Sequence, residues 1–134
     1  MNKLQGHIEH LEVSGDLTLV TVFLQEGIRM HAIVIDTPKS AAYLTLKRKV
    51  ALLFKETEVV IGNLIEPHIS IQNKIEGTVE SIEQGKLLSC LSIRTAVGEI
   101  RSTISKAAVL SLKLEIGTKV LAMVKLNEVM LSPL

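Results

Sequence analysis

The chain has 134 residues, which is one ordinary domain or two very small ones. Its 15 Lys and Arg against 14 Asp and Glu leave a formal net charge of +1, which offers no electrostatic footprint for nucleic acid or an anionic membrane. Three aromatic residues (Phe23, Tyr43 and Phe54) are too few for a base-stacking platform, and a single cysteine, Cys90, excludes an internal disulfide. No apolar run approaches the ~18 residues of a membrane span, and Met1 leads into polar residues without a signal peptide. A cytoplasmic, β-rich protein is the expectation.

In chain order, Asn2-Lys3-Leu4-Gln5-Gly6 opens the first strand. Leu17–Leu24 is apolar or β-branched on both faces, which suits a strand covered on two sides. Ile28, Met30, Ala32 and Val34 then alternate with other residues at the strand period. Thr37 is placed to cap a short helical stretch, with Pro38 at its first position and Ala41, Ala42 and Leu44 in its body. Lys49–Lys55 and Val59–Ile61 complete a unit.

The second half repeats this order. At an offset of 71, Asn73-Lys74-Ile75-Glu76-Gly77 matches Asn2–Gly6, Ile8 meets Val79, and Val20 and Val22 fall on Leu91 and Ile93. At an offset of 70, Lys49–Lys55 pairs with Lys119–Lys125 and Glu58–Ile61 with Glu128–Leu131. The second helical stretch is Lys106-Ala107-Ala108-Val109-Leu110, Gly117 supplies a turn, and Val129–Leu131 closes the unit. Residues 62–72 contain Pro67 and lack a helical pattern, so the boundary falls there, giving units 1–64 and 65–134. The fold class is all-β: two tandem small OB-like five-stranded barrels, each with a short helix. Units this small bury little apolar surface alone, so pairing of the barrels and then homo-oligomerisation, as dimer or trimer, is expected.

The order Ser70-Ile71-Gln72-Asn73, Gly77-Thr78-Val79, Ile104-Ser105, Leu110-Ser111-Leu112, Gly117 and Ala122-Met123-Val124-Lys125, ending Val129-Met130-Leu131, resembles the Mop (molbindin, or TOBE) domain family. With both halves counted, the resemblance covers nearly the whole chain. It implies a molybdate or tungstate oxyanion as ligand, held between barrels by hydrogen bonds, with no other cofactor. Such a dianion needs many donors to offset its desolvation; hydroxyls, backbone N–H groups and one ammonium supply them.

Carried over by position, the resemblance implies anion contacts from Ser70, Gln72, Ser105 and Lys125. Gln72 stands where the family often has Arg, so the donor is kept and the charge is lost. In the first half, Lys55 keeps the basic position. Asp36 takes the place of the hydroxyl after the third strand, and Ser40 is a nearby substitute. The segment between Leu46 and Val50 is four residues shorter than that between Leu112 and Val120, so the first rim differs.

Other residues read more plainly. His7-x-x-His10 does not suit metal ligation from a strand, because odd spacing places the two rings on opposite faces. Cys90 reads as a buried small hydrophobe, Asn2 and Asn73 as turn residues at strand starts, and Gly6 and Gly77 as kinks or close approaches. No nucleophile constellation, phosphate-cradling loop or HExxH helix is present in the sequence, so a binding protein is expected and not an enzyme. Storage, homeostasis or sensing of the oxyanion is the leading reading. The rival is a ligand-free regulatory or oligomerisation module acting on a molybdate transporter or regulator.

Overall fold

The computed structural model describes residues 1–65 and 68–134, so Pro67 of the boundary segment lies outside the described residues. The strands are β1 (Asn2–Ser14), β2 (Leu17–Phe23), β3 (Arg29–Val34), β4 (Lys49–Phe54), β5 (Val60–Gly62), β6 (Asn73–Gln84), β7 (Leu88–Thr95), β8 (Gly98–Ser105), β9 (Lys119–Val124) and β10 (Met130–Pro133). Helix α1 (Lys106–Ser111) follows β8, and 3-10 turns at Glu56–Glu58 and Leu126–Glu128 follow β4 and β9. Among the described residues no helix is long and apolar enough to cross a membrane.

Two five-stranded antiparallel sheets result, ordered β10-β4-β1-β2-β3 and β5-β9-β6-β7-β8. This order corrects the expectation that each half closes its own barrel. Ile61 pairs with Ala122 of the second unit, and Leu131 pairs with Leu52 of the first. Each unit therefore gives its closing strand to the other. Both segments alternate an apolar residue inward, so either sheet edge satisfies them, and the exchanged pairing ties the units together.

The seam carries further exchanged contacts. The Asn2 side chain donates to Arg101 O at 2.9 Å and accepts from Arg101 N at 2.8 Å, and Asn73 makes the same pair with His31 at 2.8 and 2.7 Å. Both asparagines are buried, and each bridges to the third strand of the other unit; they are not turn residues of their own strand. Ser102 Oγ donates to Val59 O at 2.8 Å. Buried residues from both sheets, including Leu52, Phe54, Ile75, Leu91, Val59 and Val129, form one continuous apolar cluster.

One local finding differs from the sequence reading and one agrees with it. The stretch 37–44 is a run of hydrogen-bonded turns instead of a regular helix; Ala41 N and Ser40 N both donate to Thr37 O. There the Ser40 hydroxyl accepts from Thr37 N, a local side-chain bond that competes with helix propagation. In the second half Ser105 Oγ instead accepts from Ala108 N and starts α1. The expected close approach at the two glycines is present: a Cβ at Gly6 would lie 2.3 Å from Phe23 O, and one at Gly77 would lie 2.4 Å from Ile93 Cγ2.

Candidate anion-binding surface

Lys125 leaves β9 and opens the 3-10 turn, with Glu128 N donating to its carbonyl at 3.0 Å. Antiparallel pairing of Asn73 with Val124 brings Gln72 and Lys125, the next residue on each chain, to one corner, with Ser70 two residues before. All three are exposed. The turn behind Lys125 packs on β3, and Asn73 fixes the same strand, so this corner abuts the first unit.

Lys55 repeats this geometry in the first half: it is exposed, and its turn packs on β8. There Arg101 Nε lies 3.2 Å from Glu56 Oε1. Ser105, exposed at the end of β8, therefore belongs to the strand that the Lys55 turn covers. Lys125 lies against the other seam. Within one chain Gln72 and Lys125 flank the same strand pair, with Ser70 two residues away in sequence, whereas Ser105 belongs to the other seam. Ser105 accepts the α1 capping bond at 3.0 Å, which leaves its O–H as a donor.

The register also revises one equivalence. Thr18 pairs with Val34 and its counterpart Ser89 pairs with Ile104, so Ser105 corresponds to Ile35, and Asp36 corresponds to Lys106. Ser40 donates to the Asp36 carboxylate at 2.9 Å and accepts from Thr37 N at 2.9 Å. In this arrangement its hydroxyl serves its own turn.

A surface that sequence reasoning did not single out lies on the outer face of the first sheet. A bulge between Ile8 and His10 inserts an extra residue into β1, so His7 opposes Phe23 and His10 opposes Thr21. Phe23 and Thr21 are two apart on β2, which puts His7 and His10 on the same face and corrects the opposite-face reading. His7 and Phe23 rings lie 5.3 Å apart, and the Arg29 guanidinium sits 5.2 Å from the Phe23 centroid. Arg29 also clasps Glu9 through Nε at 2.6 Å and Nη2 at 3.0 Å, and this bond holds the Glu9 carboxyl below its usual pKa. Thr21 Oγ1 lies 3.1 Å from His31 Nδ1, and burial lowers the His31 pKa. Among the described residues no group of three or more His, Cys, Asp or Glu gathers as a metal site. Cys90 is half-buried, with Arg101 Nη2 at 3.2 Å from its sulfur.

Comparison with known proteins adds identity to this geometry. Residues 69–131 match the TOBE domain. A probable molybdenum-pterin-binding protein of Haemophilus influenzae is 40% identical over 63 residues, covering 46% of this chain and 91% of that protein. The crystal structure of ModG, a cytoplasmic molybdate-binding protein with molybdate bound, is similar over 98% of this chain and 94% of its own, at 26% identity and a TM-score of 0.90. A molybdate-binding protein from Sporomusa ovata is 34% identical, covering 44% of this chain and 88% of that one, with a TM-score of 0.43. The chain belongs to the Mop/TOBE (molbindin-like) domain family, with two units in tandem.

Proposed function

We propose that this protein binds molybdate or tungstate reversibly, as a cytoplasmic store, buffer or sensor of the oxyanion, and catalyses no reaction. The observation that carries this reading is the likeness to molybdate-loaded ModG along almost the entire chain. The exposed Gln72 and Lys125, flanking the paired Asn73 and Val124, support it, with the exposed Ser70 hydroxyl two residues before Gln72. Three such groups give too few donors for a tetrahedral dianion, whose four oxygens each accept several hydrogen bonds. A second copy of the chain would supply the rest, so the site belongs to a homo-oligomer, dimer or trimer. Ser105 and Lys55 would serve the other seam, with Ser40 beside the first-half rim.

Isothermal titration with molybdate, tungstate and sulfate tests this. Saturable heat with the first two, weakened at least tenfold by Lys125→Ala, is the expected result. A flat titration with all three rejects it. One observation favours a ligand-free regulatory or oligomerisation module as the second reading: the Ser40 hydroxyl is bonded to the Asp36 carboxylate, whose charge opposes an oxyanion. Retention of a transporter or regulator regardless of molybdate would select that reading.

A further inference from the structure

The duplication leaves two equivalent grooves, one beside each close-approach glycine, and the two have diverged in chemistry. The first has a volume of about 650 Å³ and is bordered by Gln5, His7, Phe23, Gln25, Lys47 and Lys49 around Gly6. The second, about 390 Å³, has Glu76, Thr78, Arg94, Ala96 and Lys119 around Gly77. Both keep the lysine that begins the fourth strand of the unit. The first has a His–Phe wall and is bordered by Leu134, whose terminal carboxylate is its acidic group; the second has Arg in place of Phe, Thr in place of His, and the Glu76 carboxylate.

Pairing places the first groove's residues in a row. His7 lies opposite Phe23 on one side and Lys49 on the other, so Lys49 and Phe23 stand two strand spacings apart, about 10 Å. That is the span from a flat ring system to a phosphate attached through a short linker. Lys47 adds a second ammonium at a backbone position with φ of 70°, where the other unit has Gly117 with φ of 95°. The two positions are equivalent, since Lys47 N donates to Ile8 O at 2.7 Å and Gly117 N to Val79 O at 2.8 Å. A lysine thus occupies a left-handed site that glycine fills at lower cost.

The geometry points to a second ligand site in this first groove, for a planar heteroaromatic monophosphate of nucleotide size, distinct from the oxyanion corner. The ring system lies against His7 and the outward edge of Phe23, whose ring packs between His7 and the Arg29 guanidinium, and the phosphate meets Lys49 and Lys47, with Gln5 and Gln25 as amide partners. The groove is open to solvent along one side, and its volume of about 650 Å³ is large enough for a ligand of this size. The second groove lacks the ring wall, so it does not take this class.

Flavin mononucleotide, followed by its fluorescence, and adenosine monophosphate, followed by amide shifts, are the probes, with inorganic phosphate as competitor. Saturable binding is expected, with shifts confined to Gly6, Phe23, Lys49 and their neighbours. Phe23→Arg, which copies Arg94 of the second groove, should weaken both probes at least tenfold while the thermal midpoint stays within a few degrees. Lys49→Ala should weaken flavin mononucleotide tenfold and riboflavin by less than twofold. Absence of saturation, binding unmoved by Phe23→Arg in a folded variant, or displacement by equimolar inorganic phosphate overturns the proposal. Molybdate heats should be the same in the Phe23→Arg protein, which separates this site from the oxyanion corner.

Discussion

Asn73 holds the backbone of His31 through both of its amide atoms, accepting from the peptide N–H and donating to the carbonyl across the seam between the units. The bond pair resembles one rung of a strand ladder made by a side chain, and Asn2 forms the matching rung with Arg101. Truncating Asn73 to Ala removes two hydrogen bonds and leaves a half-buried edge strand with unpaired groups. About 2–4 kcal/mol of stability should be lost, read as a lower urea midpoint at unchanged slope. Asn73→Asp keeps the acceptor but sets a carboxylate against the His31 carbonyl, so it should rescue little. A midpoint within experimental error of the parent would show that the seam is held by apolar packing alone.

Exchange of β5 and β10 makes the two halves mutually dependent. Fragments 1–64 and 65–134, expressed separately, should each lack their closing strand's proper partner and should associate when mixed. Equimolar refolding is expected to restore one cooperative transition and a 1:1 species on native mass measurement. Two independently folded monomeric fragments would contradict this account.

Much of the fold was legible because strand alternation and the repeat are properties of the sequence itself. The Val20/Leu91 and Val22/Ile93 matches mark buried strand positions, and all four are fully buried. Strand exchange was not legible, since Val59-Val60-Ile61 and Val129-Met130-Leu131 present the same pattern and either sheet edge accepts either segment. The bulge at Glu9 also left no mark on the alternation, and it reversed the reading of His7 and His10. The equivalence of Ser105 with Asp36 failed because the β2–β3 connection from Phe23 to Arg29 is one residue longer than that from Arg94 to Glu99. Lys55 and Lys125 were readable as a repeated basic position. That they face different seams depends on which unit's third strand each turn covers, which no local pattern encodes.

Gly6 and Gly77 test the close approach between strands one and two of each unit. Adding a methyl group by Gly6→Ala drives a Cβ to 2.3 Å from the Phe23 carbonyl oxygen, and the main chain must shift to relieve it. A loss of roughly 1–3 kcal/mol is expected, with Gly77→Ala comparable because an added Cβ would lie 2.8 Å from Arg94 O. Thermal unfolding of both variants checks this, and a neutral Gly6→Ala would mean that β1 can move away from β2.

Lys47 should be a site where stability can be gained. Glycine carries no penalty at a φ of 70°, so Lys47→Gly should stabilise the protein by about 1 kcal/mol in denaturant unfolding. The gain is partly offset by the extra freedom of glycine in the unfolded chain. Gly117→Lys is the reciprocal change and should destabilise by a similar amount. If both substitutions shift stability in the same direction, the backbone argument fails and the lysine side chain is acting through other contacts.

His31 supplies a pH dependence whose sign follows from burial. Its pKa is lowered in the folded protein, so the folded state disfavours the charged ring relative to the unfolded chain. The unfolded chain then binds more protons below its ordinary value of about 6.5, and stability rises with pH there. The contribution is complete above that value and is lost as pH falls from it through the lower folded-state value. His31→Gln keeps the backbone bonds to Asn73 and removes the titrating ring. Its urea midpoint should therefore fall less than the parent's between pH 7 and pH 5. Parallel pH profiles for the two proteins would place the acid sensitivity on groups other than His31.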